Sequence, residues 1–247
     1  MKAVDTEIKL IVKSLNALGQ SIGVETVFRD WCECSALAIA NSVEVIHGSL
    51  WERREKRYLD VIARYKSNVY EFVEMLARLT QVFELDPWCD HLGRIYMECF
   101  GGNKNLGQCF TPQAICSVCA CLIEAPKDTD PHTLYEPACG GGAMIIAYLK
   151  ECHDAGYDYQ RLLKIYAADI DALCCHMCYV QLSLLGARAT VAQQNALSLD
   201  TYDVFETPME RLWPMTLFSG ENEEKQEENP DEISPELFEL LYGVRRA

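Results

Sequence analysis

The stretch that decides the fold of this 247-residue chain is residues 135–144, which read Tyr-Glu-Pro-Ala-Cys-Gly-Gly-Gly-Ala-Met. The pattern predicts the end of a strand, an acidic residue, a sharp glycine turn and the start of a helix. Three consecutive glycines let backbone amides approach a ligand without a clash from a Cβ atom. The N-terminus of the following helix favours electron-rich groups. The turn is therefore a candidate ligand-binding loop.

A second strand-like segment follows about 30 residues later, where residues 166–169 read Tyr-Ala-Ala-Asp. An acidic residue at the end of such a strand, here Asp169, can accept hydrogen bonds from the two hydroxyls of a ribose. The turn and the acid together predict a site for an adenosine-containing cofactor on a doubly wound α/β sheet. The alternatives are that Asp169 is a helix N-cap and that Glu136 is a surface carboxylate.

The rest of the chain divides into three predicted parts. Residues 1–105 have helical periodicity and predict an all-helical N-terminal domain. Residues 106–219 alternate strands and helices, which predicts a parallel sheet with right-handed crossovers. The predicted strands are residues 133–135, 164–168, 189–193 and 202–205, with a weak fifth at 215–218. Residues 220–247 predict an acidic mobile tail that ends in a possible amphipathic helix at 234–242.

One predicted helix has a heptad pattern. Its apolar residues from Tyr58 to Phe83 are separated by alternating steps of four and three, which predicts about seven helical turns. Such a seam either forms a homodimer or packs inside its own domain, and packing inside the domain is the favoured interpretation.

The charge of the chain argues against unaided DNA binding. The formal net charge is -15, whereas a protein that binds DNA alone usually has a basic face. The one local basic cluster, at residues 53–57, is predicted to be a solvated turn of a helix. No apolar run reaches the length of a membrane span, and the N-terminus lacks an export signal. We therefore expect a cytoplasmic protein without a membrane segment.

Thirteen cysteines are present. In a protein without an export signal, reduced thiols are expected rather than disulfides. Two clusters, at residues 116–121 and 174–178, fall in predicted helices, where cysteine behaves as a small apolar residue. A zinc site that joins the two clusters is the less favoured alternative. The sequence thus predicts neither a metal site nor a catalytic thiol.

Further motifs flank the glycine turn. Residues 107–112 read Gly-Gln-Cys-Phe-Thr-Pro, residues 169–171 read Asp-Ile-Asp, and residues 194–197 read Gln-Asn-Ala-Leu. In this order and spacing, residues 88–206 resemble the adenine-N6 DNA methyltransferases, in particular the modification subunits of type I restriction systems. The resemblance implies a Rossmann-like S-adenosylmethionine-dependent methyltransferase fold, here truncated, and a role in DNA methylation within a restriction-modification system.

The resemblance also assigns roles to residues of the cofactor site. It implies that Glu136 lies close to the ammonium group of S-adenosylmethionine, that Asp169 holds the ribose hydroxyls, and that Ile170 lines the adenine pocket. The complete set implied to contact the cofactor is Phe110, Thr111, Pro112, Glu136, Ala138, Cys139, Gly140, Gly142, Asp169, Ile170, Asn195, Ala196 and Leu197.

The family's catalytic motif is absent from the 247 residues. That motif is Asn or Asp, then Pro-Pro, then Tyr or Phe. Its polar side chain and a backbone carbonyl accept hydrogen bonds from the target amino group, while its aromatic ring stacks on the flipped base. Where the motif is expected, residues 202–209 read Tyr-Asp-Val-Phe-Glu-Thr-Pro-Met. Phe205, Glu206 and Pro208 are only weak catalytic candidates, because their spacing differs.

Several functional hypotheses remain open at this point. The leading one is an S-adenosylmethionine-binding protein of this family that is not catalytic alone and reaches DNA through a partner subunit. The first rival is an active adenine methyltransferase that uses Glu206 and Phe205 instead of the usual motif. The second rival is an acidic interaction or anti-restriction protein without a cofactor. Methylation of protein or RNA is a fainter possibility, since the fold serves many acceptors.

Overall fold

The computed structural model describes residues 2–44, 46–101, 111–123, 125–127 and 129–217. The helices are α1 Lys2–Ile22, α2 Val24–Ser42, α3 Ser49–Ile62, α4 Val69–Leu85, α5 His91–Phe100, α6 Gln113–Ile123, α7 Ala143–Asp154, α8 Tyr159–Leu162, α9 Ala172–Leu184 and α10 Pro208–Leu217. The strands are β1 His132–Glu136, β2 Leu163–Asp169, β3 Arg188–Gln194 and β4 Thr201–Glu206. The predictions for Phe110, for the acidic tail and for its terminal helix lie outside the described residues.

The first five helices confirm that the N-terminal part is helical, but the single long helix predicted from Tyr58 to Phe83 is wrong. Helix α3 ends at Ile62, and a 3-10 turn, Lys66–Asn68, separates it from α4. Lys66 has a positive φ of 46°, which an α-helix does not allow. The seam residues Phe72 and Leu79 are buried against the other helices of the same chain. The heptad pattern therefore reflects internal packing, and homodimerisation through it stays a prediction.

The sheet has the order β1-β2-β3-β4. Strands β1, β2 and β3 are parallel, as predicted. The prediction is wrong for β4, which pairs antiparallel to β3, so that Thr201 lies opposite Gln194 and Glu206 lies opposite Thr190. The reason is the length of the connection, since residues 195–200 are too few for a crossover and suffice for a hairpin.

The weak fifth strand predicted at residues 215–218 is also wrong, because α10 extends to Leu217 and Phe218 lies outside the described residues. Helix α10 packs against the beginning of the parallel strands. Its Glu210 carboxylate pairs with Lys164 of β2 and with Arg188 of β3, each at 3.1 Å.

None of the helices in the described part of the chain is long and apolar enough to cross a membrane.

The helical part and the sheet share a continuous apolar core. Helix α9 lies on β2 and β3 and packs on its outer side against α2. An ion pair at 3.3 Å between Arg29 of α2 and Asp171, the N-cap of α9, joins the same two helices. The predicted domain boundary at residues 105/106 is not tested by these contacts and stays a prediction.

The basic cluster at residues 53–57 is not simply a solvated turn. The Arg54 side chain is buried, donates to the Val204 carbonyl oxygen at 3.2 Å, and lies over the Phe205 ring at 5.4 Å from its centroid. Arg57 forms ion pairs with Glu33 of α2 and Asp203 of β4. These two arginines attach α3 to β4, and they are consequently engaged within the protein.

Candidate cofactor site

The glycine turn follows β1 directly and ends where α7 begins. Gly140 and Gly142 have φ angles of 52° and 96°, which L side chains rarely adopt. The Cys139 amide donates to the Ala168 carbonyl oxygen at 2.8 Å, and this bond holds the turn against the end of β2. Two of the three glycines are thus required by backbone geometry, and the turn lies at the carboxyl edge of the sheet.

Asp169, the last residue of β2, connects to this turn. Its Oδ2 accepts the Gly140 amide at 2.9 Å, while its Oδ1 accepts the Asp171 amide at 2.9 Å. The side chain is half-buried rather than directed into bulk water. A carboxylate offers about four acceptor positions, so two remain for hydroxyl donors when only contacts with the described residues are considered. The helix N-cap predicted as its alternative role belongs instead to Asp171, whose Oδ1 accepts the Leu173 amide at 2.8 Å.

A second carboxylate flanks the turn at the end of β1. Glu136 Oε1 accepts the Ala138 amide at 3.1 Å, and Ala138 is exposed. With Glu136 on one side of the turn and Asp169 on the other, the site has negative charge next to a helix N-terminus. A positively charged group of a ligand would be stabilised between these two carboxylates.

The segments that follow β2 and β3 add exposed apolar side chains and a hydrogen-bonded loop at the same edge. Ile170 follows β2 and is 55% exposed, and Leu197 in the loop after β3 is 96% exposed. Asn195 Oδ1 accepts the amides of Leu197 at 2.9 Å and Ser198 at 3.3 Å, which fixes the loop that carries the exposed Ala196. Since β1, β2 and β3 are parallel, their carboxyl ends bring these residues to the edge where cofactors bind in such sheets.

Thr111 and Pro112 lie before the first turn of α6 and are exposed. The Pro112 carbonyl accepts the amides of Ile115 and Cys116, so α6 begins directly after Pro112. Helix α6 packs on α7, the helix that the glycine turn opens. This packing brings the two segments into one neighbourhood, while Phe110 lies outside the described residues.

Cys139 contributes backbone rather than thiol to the site. Its side chain is buried and forms a thiol–thiol hydrogen bond with Cys178 of α9. This contact, together with burial, raises the pKa of the Cys139 thiol well above its ordinary value. The thiol is therefore protonated at neutral pH, and it packs between the turn and α9.

The glycine turn is supported by a network of buried polar groups from α5 and α9. The sequence analysis did not predict this network. Asp90, the N-cap of α5, accepts the Gly93 amide at 2.7 Å and the Gln181 Nε2 group at 2.8 Å. Gln181 Nε2 also donates to the Gly141 carbonyl at 2.6 Å, and its Oε1 accepts the Leu92 amide at 3.1 Å. Burial raises the pKa of the Asp90 carboxyl, against the opposing effect of these hydrogen bonds.

The network explains why the middle glycine is also restricted. A Cβ atom at Gly141 would lie 3.1 Å from Asp90 Oδ2, which is tighter than ordinary contact. The sequence feature that could have indicated this network is Gln181, a polar residue within the apolar face of α9. A fully buried glutamine needs hydrogen-bond partners, which here come from α5 and from the glycine turn.

The three weak catalytic candidates lie away from this site. Phe205 is 1% exposed, with its ring packed against His176 and Tyr179, so it has no free face for a base. Glu206 pairs with Thr190, four residues before the end of β3, or roughly 13 Å from the cofactor edge at about 3.3 Å per residue. Pro208 opens α10 beyond it. The antiparallel direction of β4 thus takes all three to the opposite edge of the sheet.

The cysteine clusters lie in α6 and α9, as predicted. The cysteines among the described residues are free thiols. The same residues contain one group of potential metal ligands, Asp86, Cys89 and His91, which belongs to neither cluster.

The chain is similar to one known protein family and to solved methyltransferase structures. The sequence model described as N-6 DNA Methylase matches residues 89–231, more than half of the chain. No curated protein matches the sequence significantly. One similar solved structure, from Listeria monocytogenes, is assigned to the class I S-adenosylmethionine-dependent methyltransferases. It has 14% identity and a TM-score of 0.45, and the match covers 77% of this chain and 52% of that one.

A second similar structure is the methyltransferase subunit of a type I restriction-modification system from Streptococcus thermophilus. It has 13% identity and a TM-score of 0.41, and the match covers 81% of this chain and 59% of that one. The present chain therefore corresponds to between half and three-fifths of the length of either structure. The match to the family model confirms the family predicted from the sequence motifs, whose cofactor is S-adenosylmethionine: this chain belongs to the N-6 DNA methylase family.

Proposed function

We propose that this protein binds S-adenosylmethionine at the carboxyl edge of its sheet and does not methylate adenine on its own. The observation that carries the proposal is the Asp169 carboxylate, which is held by the Gly140 amide and keeps acceptor positions free beside the glycine turn. A cofactor needs both features in one place, an acceptor for its ribose and a backbone that it can approach closely.

The other contacts follow from the same edge. Glu136 stands where a positively charged amino-acid moiety would be stabilised, and Asp169 accepts the ribose hydroxyls. The exposed Ile170 side chain offers an apolar surface for the adenine ring, and the loop 195–197 borders it. Each role is a proposal that the positions of these residues support.

The absence of intrinsic catalysis rests on two observations. The amine-activating motif is missing from the sequence. The residues that stand nearest to its expected position, Phe205 and Glu206, are respectively buried and placed at the wrong edge of the sheet. A catalytic group must lie within hydrogen-bond reach of the amino group that it activates. The active rival that uses Glu206 is therefore disfavoured.

We infer that a partner subunit completes the sheet and provides access to DNA. In a doubly wound sheet, the strand that precedes the glycine turn lies in the middle, but β1 is an edge strand among the described residues. Tyr135 of β1 is 40% exposed, and neighbouring α6 exposes Ile115, Val118 and Leu122 by 53% to 80%. A strand and helix from another subunit of a restriction-modification assembly would cover these apolar groups and the open backbone edge.

Calorimetric titration with S-adenosylmethionine tests the binding step. The native chain should bind with a measurable heat, and Asp169→Ala should weaken binding by about 10- to 100-fold, since a charge-assisted hydrogen bond contributes about 1.5–3 kcal/mol. Asp169→Asn keeps one acceptor oxygen and should give an intermediate loss. Asp158→Ala, which removes an exposed carboxylate at the N-cap of α8, is the matched control and should bind like the native chain. Absence of heat with the native chain would favour the acidic interaction protein instead.

Methyl transfer tests the second step. With tritiated cofactor and DNA of mixed sequence, the isolated chain should transfer no label above background. Robust transfer that is lost in Glu206→Ala would establish the active rival and overturn this part of the proposal, while leaving cofactor binding in place.

A further inference from the structure

The joint between α4 and α5 contains three potential metal ligands that the cofactor site does not use. Asp86 is the C-cap of α4, Cys89 lies in the connection, and His91 is the first residue of α5. One ligand atom from each lies within 4.8 Å of the other two. In a tetrahedral zinc site with bonds of about 2.0–2.3 Å, ligand atoms are separated by about 3.5 Å. Rotation of the partly exposed Asp86 and Cys89 side chains can provide the remaining contraction.

The His91 ring is fully buried and one of its nitrogens has no partner. Its Nε2 lies 2.6 Å from the Asp86 carbonyl oxygen, which can only accept, so Nε2 carries the proton. Nδ1 is buried and has no hydrogen-bond partner among the described residues. Nε2 is the nitrogen nearer to the Asp86 carboxylate, 3.9 Å from its Oδ2. A zinc ion bound by Nε2 would replace the hydrogen bond to the Asp86 carbonyl, and the ring proton would move to Nδ1.

The types of the three ligands select the metal. A thiolate excludes the hard cations calcium and magnesium, which prefer oxygen ligands. Thiolate, imidazole and carboxylate together suit zinc. We propose that Asp86, Cys89 and His91 bind one zinc ion, with a water molecule as the fourth ligand, and that this ion fixes the joint between α4 and α5.

The position of the joint gives the ion a structural consequence. Asp90 lies between two of the ligands, and its carboxylate accepts from Gln181, which in turn holds the Gly141 carbonyl of the glycine turn. Zinc would thus rigidify the segment that supports the turn. The proposed site depends only on the three side chains, so zinc binding can be tested independently of cofactor binding.

Substitution with cobalt provides a direct test. The protein is stripped of metal with a chelator and then titrated with Co²⁺, whose visible absorption reports tetrahedral geometry and whose near-ultraviolet band reports thiolate ligation. Zn²⁺ affinity is measured by competition with a chromogenic chelator. We expect one metal per chain, a thiolate band, and displacement of cobalt by zinc.

Variants identify the ligands. Cys89→Ala should abolish the thiolate band, and Asp86→Asn should weaken zinc binding by about 10- to 100-fold or more, the range that even loss of an outer partner produces. Cys99→Ala is the matched control, because Cys99 is another partly buried thiol nearby on α5. Circular dichroism establishes that each variant is folded. A native protein without stoichiometric binding, or a Cys89→Ala variant that retains the thiolate band, would refute the site.

Discussion

Replacement of Gln181 by leucine tests whether the buried network holds the glycine turn. The change puts an apolar side chain of similar size on α9 and removes every hydrogen bond of the amide. Three buried groups then lose a partner: the Leu92 amide, the Gly141 carbonyl and the Asp90 carboxylate. Each unsatisfied group costs about 1–3 kcal/mol, and Asp90 keeps its bond from Gly93. We therefore expect a loss of about 4 kcal/mol.

That loss is a large fraction of the free energy of unfolding, which is about 5–15 kcal/mol for typical domains. Urea unfolding followed by circular dichroism measures it, and calorimetry on the folded fraction should show weaker cofactor binding. The matched control is Gln160→Leu, which removes one bond to the Leu185 carbonyl while the Tyr159 hydroxyl still donates to that carbonyl. The control should lose about 0.5 kcal/mol or less. A loss below about 1 kcal/mol for Gln181→Leu would refute the role of the network.

Two further predictions concern pH and the turn itself. Burial lowers the pKa of His176 from 6.5 to about 4, so the folded state disfavours its protonation. Above about pH 6.5 the histidine is neutral in both states and does not lower the free energy of unfolding. As the pH falls to about 4, the free energy of unfolding decreases by about 3 kcal/mol. Urea midpoints across this range should fall more steeply for the native chain than for His176→Gln, and equal slopes would contradict the mechanism. Gly142→Ala should cost more stability than Gly156→Ala, because both glycines have positive φ but only at Gly142 would a Cβ crowd a side chain, 3.2 Å from Cys178 Sγ. Similar unfolding energies for the two variants would show that this contact is unimportant.

Features that depend on local sequence could be predicted well. The glycine turn, the strand that ends in Asp169 and the helix that follows each carry their own signal within a few residues. The prediction that Asp169 and the turn belong to one site is supported by the bond from Gly140. Parallel strands bring their carboxyl ends together whatever the details of packing, and this is why the residues of the candidate site could be grouped from the sequence.

Features that depend on distant contacts could not be predicted. The Asp90–Gln181 bond joins residues 91 positions apart, and neither residue by itself indicates the other. The heptad seam from Tyr58 to Phe83 is periodic, but periodicity does not require a continuous helix, and Lys66 interrupts it. The direction of β4 could in principle have been predicted from the sequence, because the six residues between β3 and β4 allow a hairpin and exclude a crossover.

The direction of β4 has the largest effect on function. A parallel fourth strand beside β1 would have brought its carboxyl end to the proposed cofactor site, where an amine-activating residue could reach the transferred methyl group. The observed hairpin instead places β4 beyond β3 and carries the chain to the beginning of the parallel strands, where Glu210 of α10 contacts Lys164 and Arg188. Among the described residues, no strand covers the outer side of β1. Under the proposed function, a group that activates an adenine is therefore expected to approach along β1, and this expectation supports the proposed second subunit there.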